Sequence, residues 1–106
     1  MAVKIDIKGE VLTAFLEGEI DHHSARKMRS EIDLAIEKHM PTLLVLDFFD
    51  VTFMDSSGIG LVMGRYRLLQ KSKAELFITN TSDSIFKVMK LAGLEKLAKI
   101  DKGCAR

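Results

Sequence analysis

The stretch TLLVLDF at residues 42–48 is almost unbroken in apolar side chains. A strand of this kind has no polar face to turn to water. Both of its faces must be covered, as in the middle of a parallel sheet packed with helices. The segments around it fit that demand. ARKMRSEIDLAIEKHM, residues 25–40, brings Met28, Ile32, Ala35 and His39 onto one helical face, with Ser24 as candidate N-cap and Pro41 as a stop. After the loop FDVTFMDS, a second helix is expected from about Ser57 to Ser72, then a strand over AELFIT at 74–79. NTSDS at 80–84 is rich in capping groups. It precedes a third helix whose apolar residues Ile85, Val88, Met89 and Ala92 fall at helical spacing and which Gly93 terminates. LEKLAKI closes the pattern as a short strand or helix.

The first twenty residues differ in kind. Val3, Ile5 and Ile7 alternate with Lys4, Asp6 and Lys8, and after a Gly-Glu turn VLTAFLEG at 11–18 reads as a second strand. So short a link predicts an antiparallel hairpin. A hairpin followed by alternating helices and strands defines an α/β domain with a mixed sheet. With 106 residues and no linker or repeat, the chain is expected to be one domain, residues 1–106.

Composition narrows the functional classes. Sixteen basic and fifteen acidic residues give a net charge of +1, which leaves no electrostatic footprint for nucleic acid. The opening MAVKIDIKGEVLTAFLEGEID carries acids within its apolar stretches and reads neither as a signal peptide nor as a membrane span. The single cysteine, Cys104, permits no internal disulfide. A cytoplasmic protein without membrane contact is the expectation.

The chemistry concentrates in FMDSSGIG, residues 53–60. Strand, loop and helix together put this octet at a helix N-terminus on the carboxyl edge of the sheet, where open α/β folds place functional groups. Unpaired N–H groups and the positive dipole end favour an anion there. Gly58 and Gly60 would leave the backbone open to a ligand or another protein. The plainer reading is that Ser57 caps the helix, Ser56 sits in the turn and the glycines permit tight packing. A nucleotide loop is disfavoured because no lysine follows the glycines, and no G-x-S-x-G elbow is spelled. DHH at 21–23 offers Asp21, His22 and His23, but neighbours in extended backbone point apart, so a polar loop at the same edge is expected rather than a metal site. On the second helix Ile59, Val62, Met63, Tyr66 and Leu69 make a core arc. Leu61 and Leu68 fall nearly opposite, with Gly60 and Gly64 on a side-chain-poor strip between. That combination suggests a docking surface as readily as incidental apolar exposure. RYRLLQKSK at 65–73 puts cations at the helix end, where they complement the dipole.

LEGEIDHHSA, LVLDF and FMDSSGIGLVMGRYRLL, in this order and spacing, resemble the anti-sigma-factor antagonists of the STAS family, and GEIDHH with MDSSGIG resembles its sporulation members most. The resemblance runs from the first strand to LAGL at 91–94, with a C-terminal tail short for the family. It implies a STAS-type single domain that is no enzyme and needs no cofactor. Its unphosphorylated form would bind an anti-sigma factor and release a sporulation sigma factor. The anti-sigma factor is also an ATP-dependent serine kinase that inactivates the antagonist, and a separate serine phosphatase restores it. The phosphoacceptor position, the serine after the aspartate, corresponds to Ser56, and Asp21 matches a position near it. Asp55, Ser57 and Gly58 would surround the phosphosite. His22, His23, Gly58, Gly60, Leu61, Gly64 and Leu68 would contribute to docking. Two other outcomes stay open: a stress-response antagonist, which in this family lacks the double histidine, and a STAS scaffold domain without a kinase switch. A small hydrolase or nucleotide-binding protein built on the same turn finds no general base in sequence reach of Ser56 except Asp55 or a spatially distant histidine.

Overall fold

The computed structural model describes residues 3–102. Its order is β1 (Val3–Lys8), β2 (Val11–Ile20), α1 (His22–His39), β3 (Leu43–Met54), α2 (Ser56–Gln70), β4 (Glu75–Thr81), α3 (Asp83–Leu91), a 3-10 turn (Leu94–Lys96) and β5 (Lys99–Lys102). The strands lie in sequence order across one sheet. β1 and β2 form the antiparallel hairpin, whereas β2 to β5 run parallel. Each parallel step moves one strand in the same direction, so right-handed crossovers put all three helices on one face. Burial agrees, and it corrects the expected cover of the 42–48 strand on both faces. Leu12, Ala14, Leu16, Leu44, Leu46, Phe48, Leu76 and Ile78 are buried on the helix face, while Thr13, Phe15, Val45 and Phe77 on the other, which no helix covers, are only half-buried. The tail segment that includes Cys104 lies outside the described residues.

Several boundaries differ from expectation for identifiable reasons. β3 does not end at 48 but continues to Met54, through the stretch expected to be a loop. The tail of β2, extended to Ile20, pairs with it: Glu17 with Asp50, Gly18 with Val51, Glu19 with Phe53 and Ile20 with Met54. Register shifts along this segment break the simple alternation. Val51 and Met54 are therefore buried while Phe49 and Phe53 are exposed, a pattern that does not look like a strand in one dimension.

Ser24 is not the cap of α1. Asp21 is, accepting from the Ser24 backbone N–H at 2.8 Å, and Ser24 Oγ returns the favour by accepting from the Asp21 N–H at 2.9 Å. The helix thus starts at His22, so both histidines occupy its first turn rather than an extended loop. Its buried stripe is Ala25, Met28, Ile32 and Ile36; Ala35 is half-buried and His39 is exposed. In α3, Ser82 caps as expected and accepts from the Ile85 N–H, and Ile85 and Met89 are buried, but Val88 is exposed. Gly93, at φ +80°, supplies the left-handed stop.

One interaction between α1 and α2 was invisible in the linear pattern. Arg65, expected among the exposed cations of a helix end, is 5% exposed, and its Nε lies 2.7 Å from Asp33 Oδ1, although its N–H is not aligned on that oxygen. Its Nη1 donates to the Leu61 carbonyl one turn back at 3.3 Å. Burial raises the Asp33 carboxyl, opposed by the Arg65 and Arg29 guanidiniums. Burial likewise lowers Arg65, opposed by Asp33. Removing one partner strands the other. Asp33→Ala should cost about 2–3 kcal/mol in urea unfolding, the lower end for a broken buried pair because Asp33 is partly open to water. The double variant Asp33→Leu with Arg65→Met should recover most of that loss.

Candidate functional site

The register of β2 on β3 creates the site. Ile20 and Met54 are lateral partners at the carboxyl ends of the two strands, and the next residue on each, Asp21 and Asp55, caps a helix. The Asp55 N–H donates to the Ile20 carbonyl at 3.1 Å, which ties the two caps together. Two helix N-termini, with their unpaired N–H groups and positive dipole ends, therefore open on the same edge.

Within α2 the roles of the polar residues separate. Asp55, not Ser57, is the N-cap, and its Oδ1 accepts from the Ser57 backbone N–H at 2.7 Å. The Asp55 carbonyl accepts from the Gly58 N–H at 3.0 Å. Ser57 is half-buried at the second helical position, whereas Ser56 is the first helical residue and its side chain is exposed. The capping work is thus done by the aspartate, which leaves the Ser56 hydroxyl facing solvent.

The glycines also separate. Gly58, expected to leave room for a partner, is buried, and a Cβ built on it would overlap the Met54 side chain and come within 3.4 Å of Ile20 Cγ2. Its job is to let α2 sit on the ends of β2 and β3. Gly60 is exposed and Gly64 half-buried, and a Cβ at either meets nothing within 4 Å. The expected position of Leu61 opposite the core is overturned. It is 4% exposed and belongs to the α2 stripe of Gly58, Leu61, Val62, Arg65 and Leu69. Ile59, Met63 and Tyr66, expected inside, are half-buried, as is Leu68. Arg65 lies on this rotated stripe, where it meets Asp33 on α1.

Asp21 and His23 stand at the start of α1, with His23 exposed. The Ser24 backbone N–H holds the Asp21 carboxyl below its usual range, and His23 adds to the effect. His22 turns toward α2 and lines a groove of about 270 Å³ with Ala25, Arg26, Arg29, Ser57, Gly60 and Leu61. A wider depression lined by Tyr66, Phe77 and Leu97 lies at the amino ends of β3 to β5, on the opposite edge from the serines. Among the described residues no group of three or more His, Cys, Asp or Glu side chains could hold a metal ion. No helix among them is long and apolar enough to cross a membrane.

The sequence reading therefore brought Asp21, His22, Asp55, Ser56 and Ser57 to one edge correctly. It missed Asp55 as the cap, the Asp33–Arg65 pair and the two arginines of the groove. An aspartate immediately before the first helical residue was the available signal for the cap. The arginines carried none, since they look like any solvated helix face.

Comparison with known proteins assigns this architecture. The STAS domain model matches residues 2–104, and the chain belongs to that family. Within it, the chain is similar to an anti-sigma F factor antagonist of Paenibacillus polymyxa, 33% identical over 90 residues covering 85% of this chain and 77% of the relative. An anti-sigma-B factor antagonist of Listeria monocytogenes is 29% identical over 94% of this chain and 90% of its own length. Among solved structures, the anti-sigma factor antagonist SpoIIAA in its unphosphorylated form superposes with a TM-score of 0.82 at 31% identity, covering 99% of this chain and 90% of that one. The phosphorylated form of the Bacillus SpoIIAA superposes at 0.76, again at 31% identity, covering 99% and 93%.

Two predictions follow from the site's packing. Gly58→Ala should cost about 1–3 kcal/mol through overpacking against Met54, whereas Gly60→Ala and Gly64→Ala should each raise stability by roughly 0.5–1 kcal/mol; urea unfolding of the three variants checks both signs. The pH dependence has a defined direction. A carboxyl held below its unfolded value contributes stability above about pH 4 and loses it as pH falls further. Asp21 is of this kind. Asp33, which is raised, contributes in the opposite sense, its share being lost as pH rises through its folded pKa. Asp21→Ala should therefore lower the melting temperature at neutral pH and show a shallower acid decline between about pH 5 and 3 than wild type.

Proposed function

We propose that this chain is an anti-sigma factor antagonist of the sporulation type, switched by phosphorylation of Ser56. The unphosphorylated form binds an anti-sigma factor that is also an ATP-dependent serine kinase, and so frees a sigma factor in the cytoplasm. A serine phosphatase reverses the modification. The observation that carries this reading is the exposed Ser56 hydroxyl on the first residue of α2, with the adjacent cap supplied by Asp55. Similarity to an anti-sigma F factor antagonist and to SpoIIAA, known in unphosphorylated and phosphorylated forms, supports the same class. The docking face is drawn from Ser56, His23, Gly60, Gly64 and Leu68; Leu61 and Gly58, being buried, serve it only by holding α2 in place.

A phosphate on Ser56 adds a charge of about −1.5 to −2 at neutral pH. The helix end favours that charge by about 0.3–1 kcal/mol when exposed, and the neighbouring Asp55 carboxylate opposes it. The fold is therefore expected to tolerate the modification. A partner that covers Ser56 must desolvate the phosphate, and uncompensated burial of charge costs several kcal/mol. At about 1.4 kcal/mol per tenfold, affinity falls at least a hundredfold without any change of shape.

Incubation with the cognate anti-sigma kinase and ATP, followed by mass-spectrometric mapping, tests the reading. Phosphate on Ser56 alone, absent in Ser56→Ala and accompanied by roughly a hundredfold weaker kinase binding, is the expected result. Modification at Ser57, or an unmodified chain that binds the kinase and resists it, would remove Ser56 as the switch.

A further inference from the structure

The groove between α1 and α2 carries a charge pattern that neither the fold nor the Ser56 switch uses. Arg26 and Arg29 project from α1 one turn apart, both exposed, and line it with His22. Among the described residues, none of the three side chains makes an ion pair or a hydrogen bond to another side chain. Of the three, Arg29 acts on the carboxylate of Asp33, which Arg65 already holds. Arg65 and Arg29 thus share the Asp33 carboxylate, and no carboxylate lines the groove itself to offset Arg26 and Arg29.

The facing wall on α2 is nearly bare. Ser57, Gly60 and the largely buried Leu61 line the groove, and Gly64 follows Gly60 one turn on. Glycine inside a helix costs about 1 kcal/mol relative to alanine. A Cβ at Gly60 or Gly64 would meet nothing of this chain, so internal packing gives no reason for either. Space kept clear at that cost is useful only to something outside the chain that comes close to the helix backbone.

The geometry points to the α1–α2 groove as the seat of an acidic segment of the protein partner. Its carboxylates meet Arg26 and Arg29 while its backbone lies along Ser57 and Gly60. This deepens the docking part of the function proposed above and names the chemistry of the partner. Exposed cations of this kind steer an acidic partner and fix its register more than they add affinity. Guanidiniums suit the task because their planar donors grip a carboxylate in two places. The seat lies beside Ser56, so a partner anchored in it would bring its surface over that hydroxyl.

A titration of the isotope-labelled full chain with a hexaglutamate peptide, read by amide shifts, tests the seat without any kinase. Saturable shifts are expected over residues 22–29 and 57–64, fading as salt rises from about 0.05 to 0.5 M. Arg26→Glu with Arg29→Glu should weaken the interaction about tenfold or more, while Lys71→Glu with Lys73→Glu, at the far end of α2, should leave it unchanged. Ser56→Ala should titrate like wild type, which separates failure of this seat from failure of the switch. Shifts scattered over the surface lysines, shifts that persist in the double arginine variant, or the same shifts produced by inorganic phosphate at equal charge would overturn the proposal.

Discussion

The register that places Ile20 beside Met54, closed by the Asp55 N–H donating to the Ile20 carbonyl, sets everything that follows at the carboxyl edge. Parallel strands paired to their last residues release their chains at the same height, and each chain turns at once into a helix. Because both turns are capped by an aspartate, the helices begin side by side with their positive ends exposed. Had β3 stopped at Phe48, the seven residues 49–55 would have separated the serines from the sheet, and their position relative to α1 would be loosely defined. The bulged extension of β2 and β3 exchanges regularity for that placement.

The Asp33–Arg65 pair completes the arrangement from the other side. It crosses the helix interface near its middle, on the same stripe of α2 as the buried Leu61, while Ser56 and Gly60 face outward. A buried ion pair is a poor source of stability but a strong constraint on register, since any other rotation would leave the guanidinium without its carboxylate. Orientation of the α2 surface is in this sense an electrostatic result as much as a hydrophobic one.

α2 divides its glycines between two needs. Gly58 serves the interior, where Met54 occupies the volume a side chain would need, and Gly60 and Gly64 face open space. Two unfavourable residues on the outer side of the helix leave its backbone open to close approach. The cationic wall of α1 beside it gives that approach a sign. The single edge thus combines an exposed serine hydroxyl, two capping aspartates, a helix face without side chains at Gly60 and Gly64, and a neighbouring groove lined by Arg26 and Arg29.

Much of the fold was legible in one dimension. The hairpin, the buried run at 42–48 and the three helices follow from periods of two and 3.6 residues and from turn residues such as Gly93, all local properties of the chain. The grouping of Asp21, His22 and Ser56 was legible too, because consecutive parallel strands must end at a common edge. The far end of β3 was not, since Val51 and Met54 show as buried only once the bulged partner strand is present. Nor was the inward turn of Leu61: its helical phase allows either side, and it shares the buried stripe with Arg65, whose partner Asp33 lies 32 positions earlier in sequence. The amino-acid sequence by itself determined the elements, their order and the chemistry of the serine turn, because those depend on neighbours a few residues apart. Only the tertiary structure decided which face of α2 meets solvent and which cations stand opposite it, because both are settled by contacts between segments that the chain keeps far apart.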